Sequence, residues 1–503
     1  MAKCLSIGGV MNKMNRVCLR FLSFPNVLVA IGCRVMRWSC LLLSAGWILC
    51  WTSLAYSVVV SETTVNNTQR PADDPGWDNV GTLQGSTGVY LGNRWVLTAN
   101  HVGVGNLALP SGTYSAEASS SIRVANPTDQ GLTQWTDLVL FRLTEEPNVA
   151  PLAITSVSPP PGTEVTLIGN GRNRAEDLTY WTRSATGGNI LWEVSESPTN
   201  YAGFATVPGN AVRWGTNLIE RDETFFRERD ADNTYVVPTS GEVITFVTEF
   251  DLANTSSNDL LKGNNGEVAT AFESQAVIND SGGAVFVPKP TGWDLAGIII
   301  AVGGYDDQPD VRFNSLYGNL TFIGDLSIYR DFITQHYVHG DLDDDGLLTV
   351  IDLESLTDAV RNKSDLLRFD FDRSGVVDQD DRTVWVEQIK QTYFGDSNLD
   401  GEFSTQDLVV VFTAGQYEDN IVGNSTWATG DWNGDGEFNS SDFVRAMQSP
   451  GFELGPRDTS AFAPINVAGD TVVAVVPEPT ATLFSLLGIL GLILIRIRLW
   501  LPD

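Results

Sequence analysis

Four times between residues 341 and 442 the chain repeats one acidic pattern, and nothing else in the sequence restricts its folding as tightly. Asp341-x-Asp343-x-Asp345-Gly346 is followed by Thr349 and Asp352. Asp370-x-Asp372-x-Ser374-Gly375 is followed by Asp378 and Asp381. Asp396-x-Asn398-x-Asp400-Gly401 is followed by Ser404 and Asp407, and Asp431-x-Asn433-x-Asp435-Gly436 by Asn439 and Asp442. Oxygen-bearing side chains thus stand at positions 1, 3, 5, 9 and 12 of a twelve-residue loop, with glycine at position 6 where the turn is sharp. A backbone carbonyl at position 7 (Leu347, Val376, Glu402 and Glu437) completes such a shell. Hard oxygen ligands at this spacing suit Ca²⁺, so up to four structural ions are expected. The stretch holds 24 Asp and Glu against 6 Lys and Arg, more than half of the chain's net charge of −31. Such density either repels itself open or binds cations, and a solvated linker has no reason to repeat five ligand positions four times.

Helical periodicity follows the loops, as in Leu353, Leu356 and Val360, or Phe443, Ala446 and Met447. The apolar residues at position 8, Leu348, Val377, Phe403 and Phe438, are expected to pair adjacent loops through a short strand. Position 12 is Asp throughout. This resembles dockerin repeats, in which calcium loops precede single helices. The resemblance covers about residues 341–450 and implies Ca²⁺-dependent folding and docking to a cohesin-like partner.

The two ends read as addresses. Arg34 and Arg37 precede an apolar run from Leu41 to Leu54, and Ser53-Leu54-Ala55 is a small-x-small cleavage pattern. This is the order of a secretory signal peptide over 1–55, and a start at Met36 gives it ordinary proportions. Cys4, Cys18, Cys33, Cys40 and Cys50 all fall in it, so the mature chain is expected to hold together by apolar cores and metal, without disulfides. Residues 56–75 form a polar leader and 451–475 a linker. Val476-Pro477-Glu478-Pro479 is followed by an apolar run from Ala481 to Ile495, then Arg496 and Arg498. By physics alone this is a short membrane span held by its arginines. The order also resembles the PEP-CTERM sorting tail of Gram-negative-type bacteria. That implies export, at least transient anchoring through a C-terminal membrane helix, and an exosortase-type processing enzyme. The location implied is the cell envelope, outer surface or extracellular matrix. The acidic balance argues against nucleic acid as a partner.

Between about 76 and 338 the pattern is strand-like. Val89-Tyr90-Leu91, a turn at Gly92-Asn93 and Trp95-Val96-Leu97 read as a hairpin. Leu138–Leu143, Val165–Ile168, Val243–Val247, Ala284–Val287 and Leu295–Val302 continue the series, and Ile328, Phe332 and Ile333 mark a closing helix. Many short strands over this length suggest barrels or sandwiches.

Three short motifs sit on this frame. His101 ends Thr98-Ala99-Asn100-His101, and a neutral imidazole is the side chain best suited to take a hydroxyl proton near neutral pH. Asp137 lies at the start of a strand, where a carboxylate serves as a turn residue or orients an imidazole. Asn279-Asp280-Ser281-Gly282-Gly283 precedes another strand, and amides in such a tight turn can face a developing oxyanion. In this order the motifs resemble the trypsin-like (chymotrypsin-fold) serine proteases, over roughly residues 80–335. The resemblance implies two antiparallel six-stranded β-barrels with a cleft between them. It implies Ser281 as nucleophile, His101 as general base and acid, Asp137 as the orienting carboxylate, and the amides of Asn279 and Ser281 as oxyanion hole. A mainly β protein followed by a small helical calcium-loop module is therefore expected.

Departures from that family accompany it. Asn279 replaces a glycine at a position that often needs φ > 0. No Arg-Ile-Val-Gly-Gly site precedes residue 80, so the enzyme is expected to fold active without pairing a new N-terminus with Asp280. Gln275 stands where an acidic residue would select Lys or Arg. Glu220–Asp232 is expected to form an inserted loop. The leading expectation is an exported serine endopeptidase acting on polypeptides. The rivals are a catalytically inactive protease-like adhesion protein and a serine esterase on the same fold.

Overall fold

The computed structural model describes residues 58–61, 67–128, 131–186, 189–226, 228–229, 235–236, 241–252, 269–290, 292–305, 307–448 and 451–457. The signal segment 1–55 and the tail 476–503 lie outside the described residues.

The hairpin forms from Ser86–Gly92 and Trp95–Ala99. Its turn residues are Asn93 and Arg94, both at positive φ (47° and 66°), one residue later than expected. Two left-handed residues match the right-handed twist of the flanking strands. The hairpin lies inside a seven-stranded antiparallel sheet in the order Gly112–Tyr114, Leu107–Leu109, Val80–Leu83, Ser86–Gly92, Trp95–Ala99, Trp135–Arg142, Ile122–Ala125. A second sheet closes on itself as a six-stranded barrel: Arg213–Phe226, Val243–Glu249, Leu320–Asp325, Gly292–Gly303, Ala284–Lys289 and Glu164–Gly169. One apolar cluster joins the two bodies, with Val89, Leu97 and Leu138 from the sheet and Ile168, Phe286 and Ile298 from the barrel. The expectation of two six-stranded barrels is met by one closed barrel and one seven-stranded sheet whose strand path is open.

Two further differences concern the β body. The predicted loop at Glu220–Asp232 begins as barrel strand, because Arg213–Phe226 continues through it and pairs Phe225 with Ile244 and Phe226 with Val243. Two register shifts absorb its irregular pattern, as β-bulges do. A five-stranded sheet, not foreseen from the sequence, is built from Arg172–Arg174, Tyr201–Asn210, Thr179–Thr186, Asn189–Ser195 and Asn314–Leu316. The closing helix spans Leu326–Ile333, is capped by Asp325, and buries Leu326, Tyr329 and Ile333.

Helices Val350–Arg361, Gln379–Val384, Thr405–Ala414 and Ser440–Gln448 follow the four acidic loops. Their core holds Leu353, Leu356, Trp385, Trp427, Trp432 and Phe438. The loops do not pair through position 8: Phe403 bridges to Phe452, and Phe438 to Tyr417. Among the described residues no helix is long and apolar enough to cross a membrane. That runs against the expected membrane anchoring through a C-terminal helix and against the membrane-held location that depended on it. The run Ala481–Ile495 itself lies outside the described residues.

Candidate active site and acidic loops

The register of the sheet brings His101 and Asp137 together. Ala99 faces Leu138 across two antiparallel strands, so Asn100 donates its amide to the Asp137 carbonyl at 2.9 Å. The next residue then sits over the Asp137 side chain. Its imidazole Nδ1 lies 2.6 Å from Oδ2, and its backbone N–H donates to Oδ1 at 2.9 Å. Asp137 is buried, while the His101 side chain is 40% exposed and faces outward. The carboxylate therefore fixes both the position and the Nδ1–H tautomer of the ring, leaving Nε2 as the acceptor.

Ser281 arrives from the barrel side. Its carbonyl accepts from the Thr87 amide at 3.1 Å, the Thr87 hydroxyl donates to Asn279 O at 3.0 Å, and the Thr98 hydroxyl donates to Thr87 O at 2.7 Å. Thr98 stands three residues before His101, so these bonds tie the serine loop to the strand that carries the imidazole. Neither threonine was singled out from the sequence as a site residue. Gly282 (φ 84°) lies so close that a Cβ there would collide with the Thr87 carbonyl and the Thr98 hydroxyl. The Ser281 hydroxyl donates to Ile300 O at 3.5 Å.

Asn279 adopts φ 78°, the conformation the missing glycine would have supplied. Amides around it are bonded: Asp280 to Val277 O, Gly282 to Ile299 O, and Gly283 to Asp280 O. Among the described residues the amides of Asn279 and Ser281 donate to no acceptor. Asp280 is fully buried and accepts from the amides of Val277 (2.8 Å) and Gly171 (2.6 Å). The Val58 backbone also bonds it, and Val59–Val60 pairs with Ser274–Gln275 to hold that segment. Burial pushes the Asp280 carboxyl up to about 7, against the pull of these bonds and of Arg213.

In the acidic loops, glycine at position 6 takes positive φ each time (84°, 84°, 99° and 93°). The loops differ in what they gather. Carboxylate oxygens of Asp341, Asp343 and Asp345 lie within 4.8 Å of one another, as do those of Asp370, Asp372 and Asp381. Asp370 is 2% exposed, and its Oδ1 has no hydrogen-bond partner among the described residues. Burial, with Asp372 beside it, pushes its carboxyl up to about 6, and burial pushes Asp381 to about 7. Carboxylates gathered this closely, with Asp341, Asp370 and Asp381 buried and the other three exposed, fit a divalent cation. In the third and fourth loops Asn398 and Asn433 turn their amides onto Asp400 and Asp435. Asp431 is also paired with Arg361 at 3.2 Å.

Positions 9 and 12 have a second use that the sequence reading missed. Thr349 and Asp352, Asp378 and Asp381, and Ser404 and Asp407 form capping boxes at the starts of the helices. Asn439 and Asp442 bond in the same sense, the Asn439 amide donating to Asp442 at 2.8 Å.

The model of the family described as Trypsin matches residues 65–191. It supports a trypsin-like fold over that stretch, which holds His101 and Asp137 and stops short of Ser281. No curated protein matches the chain. Similar solved structures include a mutant of human heparin binding protein at 16% identity, covering 52% of this chain and 93% of that one, with a TM-score of 0.27. Neuropsin, a serine protease expressed in the limbic system of mouse brain, gives 16% identity, 53% and 96% coverage, and a TM-score of 0.28. An HtrA-type protease with a decapeptide gives 16%, 51%, 52% and 0.26. TM-scores of this size carry no argument about fold or chemistry.

Proposed function

We propose that the β body is a serine endopeptidase and that the acidic loops bind Ca²⁺. The observation that carries the first reading is the 2.6 Å pair of His101 Nδ1 and Asp137 Oδ2, linked through Thr98 and Thr87 to the loop of Ser281. Ser281 Oγ attacks the scissile carbonyl carbon while His101 Nε2 takes its proton. Charge gathers on the carbonyl oxygen, where the amides of Asn279 and Ser281 stabilise it. The tetrahedral intermediate collapses as the imidazolium gives its proton to the leaving amine. Water, deprotonated by the same imidazole, then hydrolyses the acyl-enzyme and restores Ser281. Asp137 holds the imidazolium through both steps without taking its proton.

The cation reading is supported by the two carboxylate groups of the first and second loops and by the orphaned Asp370 Oδ1. Bound Ca²⁺ would supply structural charge neutralisation, with Asp341, Asp343, Asp345, Asp370, Asp372 and Asp381 as its first candidates.

A fluorophosphonate probe tests the enzyme reading on the full chain in calcium. Labelling that disappears in Ser281→Ala supports it, and a folded wild type that takes no label sinks it. Paired peptide and ester substrates then separate endopeptidase from esterase. A protease-like binding protein is the second reading, and it draws on the Ser281 hydroxyl pointing to Ile300 O.

A further inference from the structure

The helical module is not displayed on a free tether. Position 4 of every acidic loop is held in the left-handed region: Asp344 at φ 65°, Arg373 at 60°, Leu399 at 56° and Gly434 at 85°. In the third and fourth loops this residue turns inward. Leu399 is 7% exposed in the module core, and Gly434 packs against Arg382 and Thr357. In the first and second loops it turns outward, onto the β body.

Arg373 makes the deeper contact. Its guanidinium donates to Asn79 Oδ1 at 3.0 Å and to Pro151 O at 3.4 Å, with Nε sealed from solvent. Asn79 is itself fully buried, and its Nδ2 donates to Tyr90 O (3.0 Å) and Ala150 O (2.8 Å). One asparagine thus joins the second loop to two segments of the β body. Asp344 pairs with Arg142, which also stacks over Trp95, and the hairpin-turn Asn93 side chain donates to Asp341 O. Between the loops, Arg368 bonds Glu146 (2.9 Å) and Leu342 O (2.7 Å), and the Leu367 amide donates to Asn148 Oδ1 (2.7 Å). The Tyr337 hydroxyl, at the junction, lies 2.7 Å from both Leu91 O and Leu152 O, so its one proton is shared between these two acceptors.

We propose that the first two acidic loops are a cation-set brace on the β body, transmitting occupancy through their fourth residues, Asp344 and Arg373. The inference rests on the cation reading given above. Position 4 lies between ligand positions 3 and 5, so an ion that fixes Asp343 with Asp345, or Asp372 with Ser374, also fixes the residue between them. The exposed Asp344 pairs are individually weak. The buried Arg373–Asn79 bond is the stronger link, because losing it strands Asn79 Oδ1 in the interior.

Hydrogen exchange on the full chain, in CaCl₂ and in EGTA, tests this, with calcium binding followed by calorimetry. Chelation is expected to raise exchange at least tenfold in segments 79–95 and 147–152 of the β body. In Arg373→Leu these segments should exchange fast in both buffers while the chain still binds calcium. Asn148→Ala, on the opposite side of the contact, should weaken the response and guards against a misfolded loop variant. If calcium binds but chelation speeds exchange in the helical module alone, the brace is refuted and the cation reading survives. If no calcium binds, both fall.

Discussion

Replacing Asp137 by Asn separates the chemistry of the site from its fold. The Asp137 carboxylate accepts two hydrogen bonds, from the His101 backbone N–H and from ring Nδ1. An asparagine has one acceptor oxygen. If that oxygen keeps the backbone N–H, the amide NH₂ faces Nδ1 and must donate to it. The ring proton then moves to Nε2, and the imidazole cannot accept the Ser281 proton. Loss of the correct tautomer costs on the order of 10³–10⁴ in rate, or ~4–5.5 kcal/mol of transition-state stabilisation. The fold should lose only ~1–3 kcal/mol, the cost of weakening one buried charge-assisted bond. The assay is the second-order rate of fluorophosphonate labelling, alongside thermal unfolding. A variant that labels within tenfold of wild type would show that the carboxylate does not set the tautomer, and the triad reading would fall.

Gly282→Ala should destabilise the chain by about 2–4 kcal/mol, adding a left-handed penalty of ~1 to overpacking against Thr87 and Thr98; an unchanged melting temperature would place the serine loop elsewhere. Asp280 holds its proton up to about pH 7 in the folded chain and only to about 3.8 when unfolded. Its contribution is therefore most favourable at low pH and is lost as pH rises from about 4 to 7, by up to ~4 kcal/mol at 1.36 per unit. Asp280→Asn should flatten that part of the stability–pH curve, and an identical slope in both proteins would show that Asp280 does not titrate there. Phe438→Ala removes a buried ring that contacts Tyr417 (5.2 Å), Phe443 (5.5 Å) and Phe412 (5.7 Å); it should cost about 3–5 kcal/mol in denaturant unfolding of the module, and a loss under 1 would mean the cluster can collapse around the gap.

Local patterning made part of this legible. The hairpin around Asn93, the strand carrying Asp137 and the closing helix follow from alternation and turn chemistry within a few residues of each position. Asn279 was recognised as a residue able to stand in for glycine, and its φ of 78° agrees. Closure of the sheets was not legible, because it depends on pairings such as Arg213 with Gly169 that no local pattern encodes. The five-stranded sheet escaped notice for another reason. Thr179–Thr186 buries only Trp181, so its alternation has no apolar face to reveal. One of the partners of Asp280, the Val58 backbone, lies more than two hundred residues away. Arg373 looks in the sequence like a basic interruption of an acidic loop, and only its contact with Asn79 gives it a role.

The double use of the loop pattern bears on where a cation would act. Asp352 already accepts from the amides of Leu342 (2.7 Å) and Thr349 (2.8 Å), and Asp381 from those of Phe371 and Asp378 (2.7 Å each). These bonds cap the helices from within the chain, so removing an ion does not strip the helix starts of their partners. What it leaves uncompensated lies mainly in the first half of the loop, where Asp341, Asp343 and Asp345 crowd together and where Asp370 Oδ1, beside Asp372 and Asp381, has no donor. Repulsion there acts on positions 1 to 5 and hence on the residue at position 4. In a module built this way chelation should loosen the loop fronts before the helices. The fronts of the first two loops, with Leu367 and Arg368 between them, are parts that touch the β body.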